Sequence, residues 1–374
     1  MLVINHPYLS GKIEIEDNEI VGILGRNGSG KTTLINSILC DKHNIFLNGV
    51  DFCSIKDYSI LSALFQDPNT QILANTLEDE LKIMSFYHNV NTEIAQRLMK
   101  TYYSISFFKL SDGYKKRYAI ASILSSNPKY VLFDEPLSNL DEEGIKLVLD
   151  AIPKGSGVAE HRTKQIINLV QRVYLLSKAV REVEKDKLLD DNFLRRNGLR
   201  GFKLEPKRSE KLGDDILDLD IGIRLKLRES EVLCLLGPNG SGKTTILRKM
   251  AKNKKIYSIF QNPDLQFFQE TVEKEVGDNS ALEIFGIKEL KEKSPFVLSA
   301  GQKMRVLIAS AYASGSKVIG LDEPTTAMDG DGLLSFMNMV DILREEKRGL
   351  IIATHDKEVV PLCDKILNLE GLNS

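Results

Sequence analysis

Gly25-Arg26-Asn27-Gly28-Ser29-Gly30-Lys31-Thr32 decides the fold. It fits the pattern G-x-x-x-x-G-K-[ST], a loop whose glycines let backbone N–H groups crowd around phosphate oxygens. Lys31 is placed to reach the outer phosphates, and the Thr32 hydroxyl to face Mg²⁺. The flanks agree. Ile20-Val21-Gly22-Ile23-Leu24 reads as a buried strand, and Thr33 to Leu39 reads as a helix whose N-terminus favours an anion. The pattern recurs 212 positions later as Gly237-Pro238-Asn239-Gly240-Ser241-Gly242-Lys243-Thr244-Thr245, again after an apolar run, Val232 to Leu236.

Other elements recur in the same order. Phe65-Gln66-Asp67-Pro68 matches Phe260-Gln261-Asn262-Pro263, and Leu110-Ser111-Asp112-Gly113-Tyr114 matches Leu298-Ser299-Ala300-Gly301-Gln302. Phe133-Asp134-Glu135-Pro136 matches Leu321-Asp322-Glu323-Pro324, Asn139-Leu140-Asp141 matches Ala327-Met328-Asp329, and His161 matches His355. Six ordered matches at a period this long mean a duplicated domain, not a solenoid. We place the first domain at 1–200, a linker at 201–212 and the second domain at 213–374. The spacing between loop and glutamine is 17 positions shorter in the second copy. The missing part holds the Asn48-Gly49 hairpin signal of the first copy, so the second accessory sheet should be stunted.

Bulk properties set limits. A chain of 374 residues fits two domains, and a formal charge of −2 advertises no nucleic-acid partner. Cys40, Cys53, Cys234 and Cys363 are scattered without a C-x-x-C pair and read as reduced thiols, neither a disulfide framework nor a zinc site. There is no signal-peptide pattern and no apolar run long enough to span a bilayer. The expected location is the cytoplasm.

Along the chain, residues 2–24 read as short strands, Thr92 to Met99 and Gly113 to Leu124 as helices, Tyr130 to Phe133 as a buried strand. Arg172 to Leu176 reads as the last strand of the first domain, Val180 to Arg196 as helical, and the charged run 195–208 as a solvated face. His6, His43 and His88 carry no evident role.

Taken together, phosphate loop, glutamine, L-S-x-G, D-E-P, x-L-D and histidine resemble the ATP-binding-cassette ATPases, twice over and across nearly the whole chain. The resemblance implies an α/β fold of two P-loop NTPase domains, each with a mixed sheet core and a small helical subdomain, packed head-to-tail as an intramolecular dimer. It implies hydrolysis of ATP with Mg²⁺. Each site would combine one domain's loop with the other's L-S-x-G. Site one would hold Lys31, Thr32, Thr33, Gln66, Asp134, Glu135 and His161 with Ser299, Gly301 and Gln302. Site two would hold Lys243, Thr244, Thr245, Gln261, Asp322, Glu323 and His355 with Ser111, Gly113 and Tyr114. Thr32, Gln66 and Asp134, and equally Thr244, Gln261 and Asp322, would serve the metal. Glu135 and Glu323 would polarise water, and the histidines would contact the γ-phosphate. The stretches Gln66 to Glu80 and Gln261 to Val276 look like the ATPases of energy-coupling-factor importers of vitamins and Co/Ni ions. That likeness implies integral membrane partners, peripheral attachment to the cytoplasmic membrane face and a groove near Gln66 and Gln261 for a partner helix. The rival is a soluble tandem cassette ATPase acting on ribosomes or nucleic acid. Asp112 and Tyr114 depart from the family's L-S-G-G-Q. Tyr8 is a candidate for stacking on adenine, and no aromatic lies between Lys203 and Leu236 to do the same in site two.

Overall fold

The computed structural model describes residues 1–87, 89–207 and 213–369. His88, part of the expected linker (208–212) and the last five positions lie outside the described residues. The chain divides into two compact units, Met1–Phe202 and Lys203–Ser374.

In the first unit five parallel strands run side by side in the order Arg172–Leu176, Ile20–Leu24, Ser156–Glu160, Tyr130–Asp134, Leu61–Leu64. Both faces are covered, so these strands are apolar almost throughout, as parallel strands must be. A sixth strand, Val180–Val183, adds antiparallel at the Arg172–Leu176 edge. It was expected to be helical. Its pairing is set by the short turn Ser177–Ala179, a tertiary constraint that outweighs the charge spacing. A second sheet packs on the core, with Leu2–Asn5 between Lys12–Ile15 and the hairpin Ile45–Leu47, Val50–Asp51. Helices Leu77–Ser85, Thr92–Met99 and Asp112–Ser125 form the helical part.

The second unit repeats the plan in reduced form. Its parallel sheet runs Ile256–Ile259, Val318–Asp322, Gly349–Thr354, Val232–Leu236, Lys365–Asn368. The accessory sheet has two strands, Asp215–Asp220 and Arg224–Arg228, against four in the first unit, as the missing hairpin requires. Helices Val272–Val276, Asn279–Ile284 and Ala300–Ala313 form its helical part.

Three further expectations are corrected. The helix after the first loop spans only Lys31–Ile35, tightens to a 3₁₀ turn over Asn36–Leu39 and stops at Cys40 (φ 63°). Asn44 anchors the turn, donating to the Asn5 carbonyl at 2.6 Å and to Ser37 Oγ at 2.8 Å. The cysteines are paired, Cys40 with Cys53 and Cys234 with Cys363, at Cα separations of 5.4 and 5.7 Å. Hairpin closure makes the first pair, and the second joins the strand of Cys234 to the turn that leads into its parallel neighbour Lys365–Asn368, neither of which local spacing reveals. Finally, Arg200 is fully buried. Its N–H donates to the His161 carbonyl at 2.8 Å, and its own carbonyl accepts from Thr163 Oγ1 at 2.6 Å, so this end of the charged run is core.

Candidate functional site

Register brings the chemistry together. Leu24 lies opposite Glu160 and Asp134 opposite Ala159, so the loop, the carboxylates and His161 all emerge at the carboxyl ends of adjacent strands. In the second unit Leu236 faces Thr354 and Asp322 faces Ala353, with the same result.

The two loops share one geometry. Gly28 and Gly30 have φ of 77° and 97°, and Gly240 and Gly242 have 83° and 91°, all in the left-handed region that a side chain disfavours. At Gly25 a Cβ would collide with Ser29 Oγ and come within 2.7 Å of the Leu176 carbonyl. Lys31 is buried and curls back to the carbonyls of Gly25 (2.8 Å) and Arg26 (3.1 Å). Lys243 does the same to Gly237 (2.6 Å) and Pro238 (2.9 Å). Thr32 and Thr33 open the first helix, and Thr244 and Thr245 open Lys243–Met250. Asn27 and Asn239 sit at the loop tips.

Glu135 and Glu323 both have φ 48°, a left-handed backbone unusual for a residue with a Cβ. Each N–H is held by the neighbouring strand, Glu135 to the Ala159 carbonyl at 3.0 Å and Glu323 to Ala353 at 2.8 Å. His161 Nδ1 lies 3.2 Å from Glu135 and His355 Nδ1 2.8 Å from Glu323. Gln66 Nε2 reaches Glu135 at 3.5 Å. Glu323 is gripped instead by Thr354 Oγ1 at 3.0 Å and faced by Lys243 at 3.5 Å.

The paired carboxylates are driven apart electrostatically. Burial pushes Asp134 up to about 6, with the Glu135 charge adding to the rise; the Thr32 hydroxyl, which approaches without reaching hydrogen-bond geometry, offsets only part of it. Burial also opposes ionisation of Glu135, but His161, Lys31 and Lys116 outweigh it and hold the group down at about 2. Asp322 is raised and Glu323 lowered for the same reasons. Both oxygens of Asp134, Ser29 Oγ and His161 Nε2 are buried without a hydrogen-bond partner among the described residues. So are Asp322 Oδ1, Ser241 Oγ and His355 Nε2. Unpaired buried polar atoms are costly and rare. The same set orphaned twice fits a polar ligand with bound cation, and the donors suit a nucleotide phosphate and Mg²⁺.

Ser111 caps Asp112–Ser125, accepting from the Tyr114 N–H at 3.5 Å. Asp112 is therefore inside the helix, and its carboxylate sits 3.7 Å from Lys115. Ser299 caps Ala300–Ala313 in a reciprocal box with Gln302. Gly113 and Gly301 lie in the first turns.

Six residues have roles that the sequence did not assign, four of them inside the stretches after the glutamines. His6 lies under the first loop, accepting the N–H groups of Tyr8 and Leu9 at Nδ1 with Nε2 3.2 Å from the Gly30 carbonyl. A Cβ on Gly30 would meet it at 2.5 Å, while Gly242 has nothing comparable within 4 Å. Lys116 is buried and donates to the Gln66 carbonyl at 2.8 Å. Glu80 and Glu275 brace the segments after the glutamines, Glu80 accepting from Leu73 and Ala74 and Glu275 from Phe268 and Gln269. Gln71 and Gln266 accept the N–H of Phe65 and Phe260 at 2.7 and 2.9 Å and so close each loop. Tyr8 is exposed, with Lys42 Nζ 4.1 Å above its ring, and so is not core.

The ABC transporter family model matches residues 10–138, 221–258 and 251–326, falling in both units. The chain belongs to the ABC ATPase family. Its two P-loop domains are therefore ABC ATPase domains that bind and hydrolyse ATP. It is 27% identical to a protein of Saccharolobus solfataricus provisionally named an ABC transporter ATP-binding protein, over 93% of this chain and 86% of that one. A Sulfurisphaera tokodaii protein with the same provisional name is 29% identical, over 92% and 88%. Among solved structures, the archaeal ribosome recycling factor aABCE1, crystallised with the ribosomal stalk protein aP1, aligns with a TM-score of 0.70 over 98% of this chain and 86% of that chain at 19% identity. The RNase-L inhibitor aligns at 0.72 and 19% identity over 98% and 87%. At that identity the likeness is one of fold.

Proposed function

We propose that this ABC ATPase energises a membrane importer of the energy-coupling-factor type. One observation carries the importer reading. The braced segment after each glutamine presents large apolar side chains to solvent, Leu73 (75% exposed) in one unit, Leu265 (77%) and Phe268 (84%) in the other. Exposed apolar groups held on rigid, twice-repeated loops suit a groove that receives a partner's helix. Among the described residues no helix is long and apolar enough to cross a membrane, so the spanning part belongs to that partner.

In the sites, Thr32 with Asp134, and Thr244 with Asp322, would hold Mg²⁺, which supplies charge neutralisation of the phosphates. Lys31 and Lys243 would release their carbonyls to meet the outer phosphates. Glu135, ionised across the physiological range, would orient the attacking water, with His161 fixing its rotamer.

Co-sedimentation tests the reading. The wild type should travel with membrane vesicles of its source cell, and the Leu73→Asp/Phe268→Asp double variant should not, while its ATP binding stays intact. Retention of the variant on vesicles, or sedimentation of both proteins with ribosomes, would overturn it.

A further inference from the structure

One cluster lies outside the nucleotide chemistry. The 3₁₀ turn that follows the first phosphate loop ends at Cys40, and His43 comes three residues further on. The chain then makes the hairpin Ile45–Leu47, Asn48-Gly49, Val50–Asp51, with Phe46 opposite Asp51 and φ of 48° and 83° at the turn, and ends at Asp51 and Cys53. The spacing is C-x₂-H, hairpin, D-x-C. Two potential ligands leave one strand and two leave the other, and the hairpin folds both pairs to its open end.

The donor atoms of His43, Asp51 and Cys53 lie within 4.8 Å of one another. Cys40 is bonded to Cys53 and so reaches the same point. Around tetrahedral zinc, with bonds of about 2.0–2.3 Å, donors stand roughly 3.3–3.8 Å apart. A small closure of the cluster meets that spacing. Asp51 is already fixed: Oδ1 caps the following helix, accepting the Cys53 N–H at 2.9 Å, which aims Oδ2 at His43. A disulfide accounts for the two sulfurs. It leaves unexplained why an imidazole and a carboxylate converge on them. The other pair, Cys234–Cys363, has no such company, since this is the one group of its kind among the described residues.

We propose that, with Cys40 and Cys53 as thiolates, Cys40, His43, Asp51 and Cys53 bind one structural Zn²⁺. Two thiolates, an imidazole and a carboxylate match zinc better than the hard cations. Binding displaces the two thiol protons, so affinity falls as pH drops. The ion ties the hairpin to the helix that carries Lys31, and His43, mostly exposed, serves as its outer ligand. The missing C-x-x-C pair argues against zinc in the sequence; Cys40-x₂-His43 is the signal to read instead.

The full chain, reduced with a phosphine and titrated with Zn²⁺ against a chromogenic competitor, should take up one ion. With Co²⁺ it should show a thiolate-to-cobalt charge-transfer band. His43→Ala and Asp51→Ala, both outside the core, should weaken Zn²⁺ binding at least tenfold with the circular dichroism unchanged. Cys40→Ser/Cys53→Ser should lose binding and the cobalt band, and Cys234→Ser/Cys363→Ser should keep both. No uptake by the reduced wild type, or undiminished uptake by the His43 and Asp51 variants, would overturn the site.

Discussion

Asp134 sits buried with both oxygens unpaired and its pKa raised from 3.8 to about 6. A raised carboxyl pKa means that the fold favours the neutral form. Stability from this group is therefore intact below pH 3.8 and is lost as pH rises through 6. The span corresponds to about 3 kcal/mol. Asp134→Asn should thus be more stable than wild type at pH 7.5 without Mg²⁺, by up to that amount, and the gain should vanish near pH 4. Thermal unfolding at the two pH values measures it, and an equal gain at both would refute the electrostatic cause. Mg²⁺ with ATP should stabilise the wild type much more than the variant. The identities of these residues were legible in the sequence because each lies in a contiguous motif. His6 and Lys116 were not, since nothing local marks a histidine that meets a loop 24 positions away or a lysine whose partner is 50 positions back.

At the level of elements, the two signature helices begin differently. Ser299 and Gln302 make a reciprocal box, whereas Tyr114 occupies the same position in the first unit and instead stacks on Tyr102 (4.0 Å) beneath Arg117 (4.6 Å). Gln302→Ala should cost about 0.5–1 kcal/mol, read as a lowered denaturation midpoint of the second unit. No change would mean the box adds nothing in solution. The sequence located these helices, the parallel strands and the stunted second sheet, because hydrophobic runs, caps and the Asn-Gly turn are local signals. It missed the strand Val180–Val183, the short first helix and the burial of Arg200. Each depends on what lies across the sheet or hairpin, which periodicity does not encode.

Over the whole molecule the duplication is unequal. Asp112 puts a carboxylate where the family's signature has a small residue, and its pairing with Lys115 softens the repulsion it would exert on a phosphate. Glu323 is held by His355, Thr354 and Lys243 together, which leaves it less able to turn toward water than Glu135. The second loop also lacks a counterpart of His6. Glu135→Gln should therefore abolish most ATP turnover, and Glu323→Gln should leave most of it, under saturating Mg²⁺ and ATP. Equal losses would show coupled or equivalent sites.

Glu135 and Glu323 share one backbone state, φ 48°, which glycine adopts freely and glutamate does not. Each copy gives up about 1 kcal/mol or more to keep a carboxylate there. Selection for heat resistance alone would favour glycine or asparagine at these two positions, as it would at Lys56 and Lys347, which share the left-handed backbone. Both copies nevertheless carry glutamate where the backbone would favour glycine.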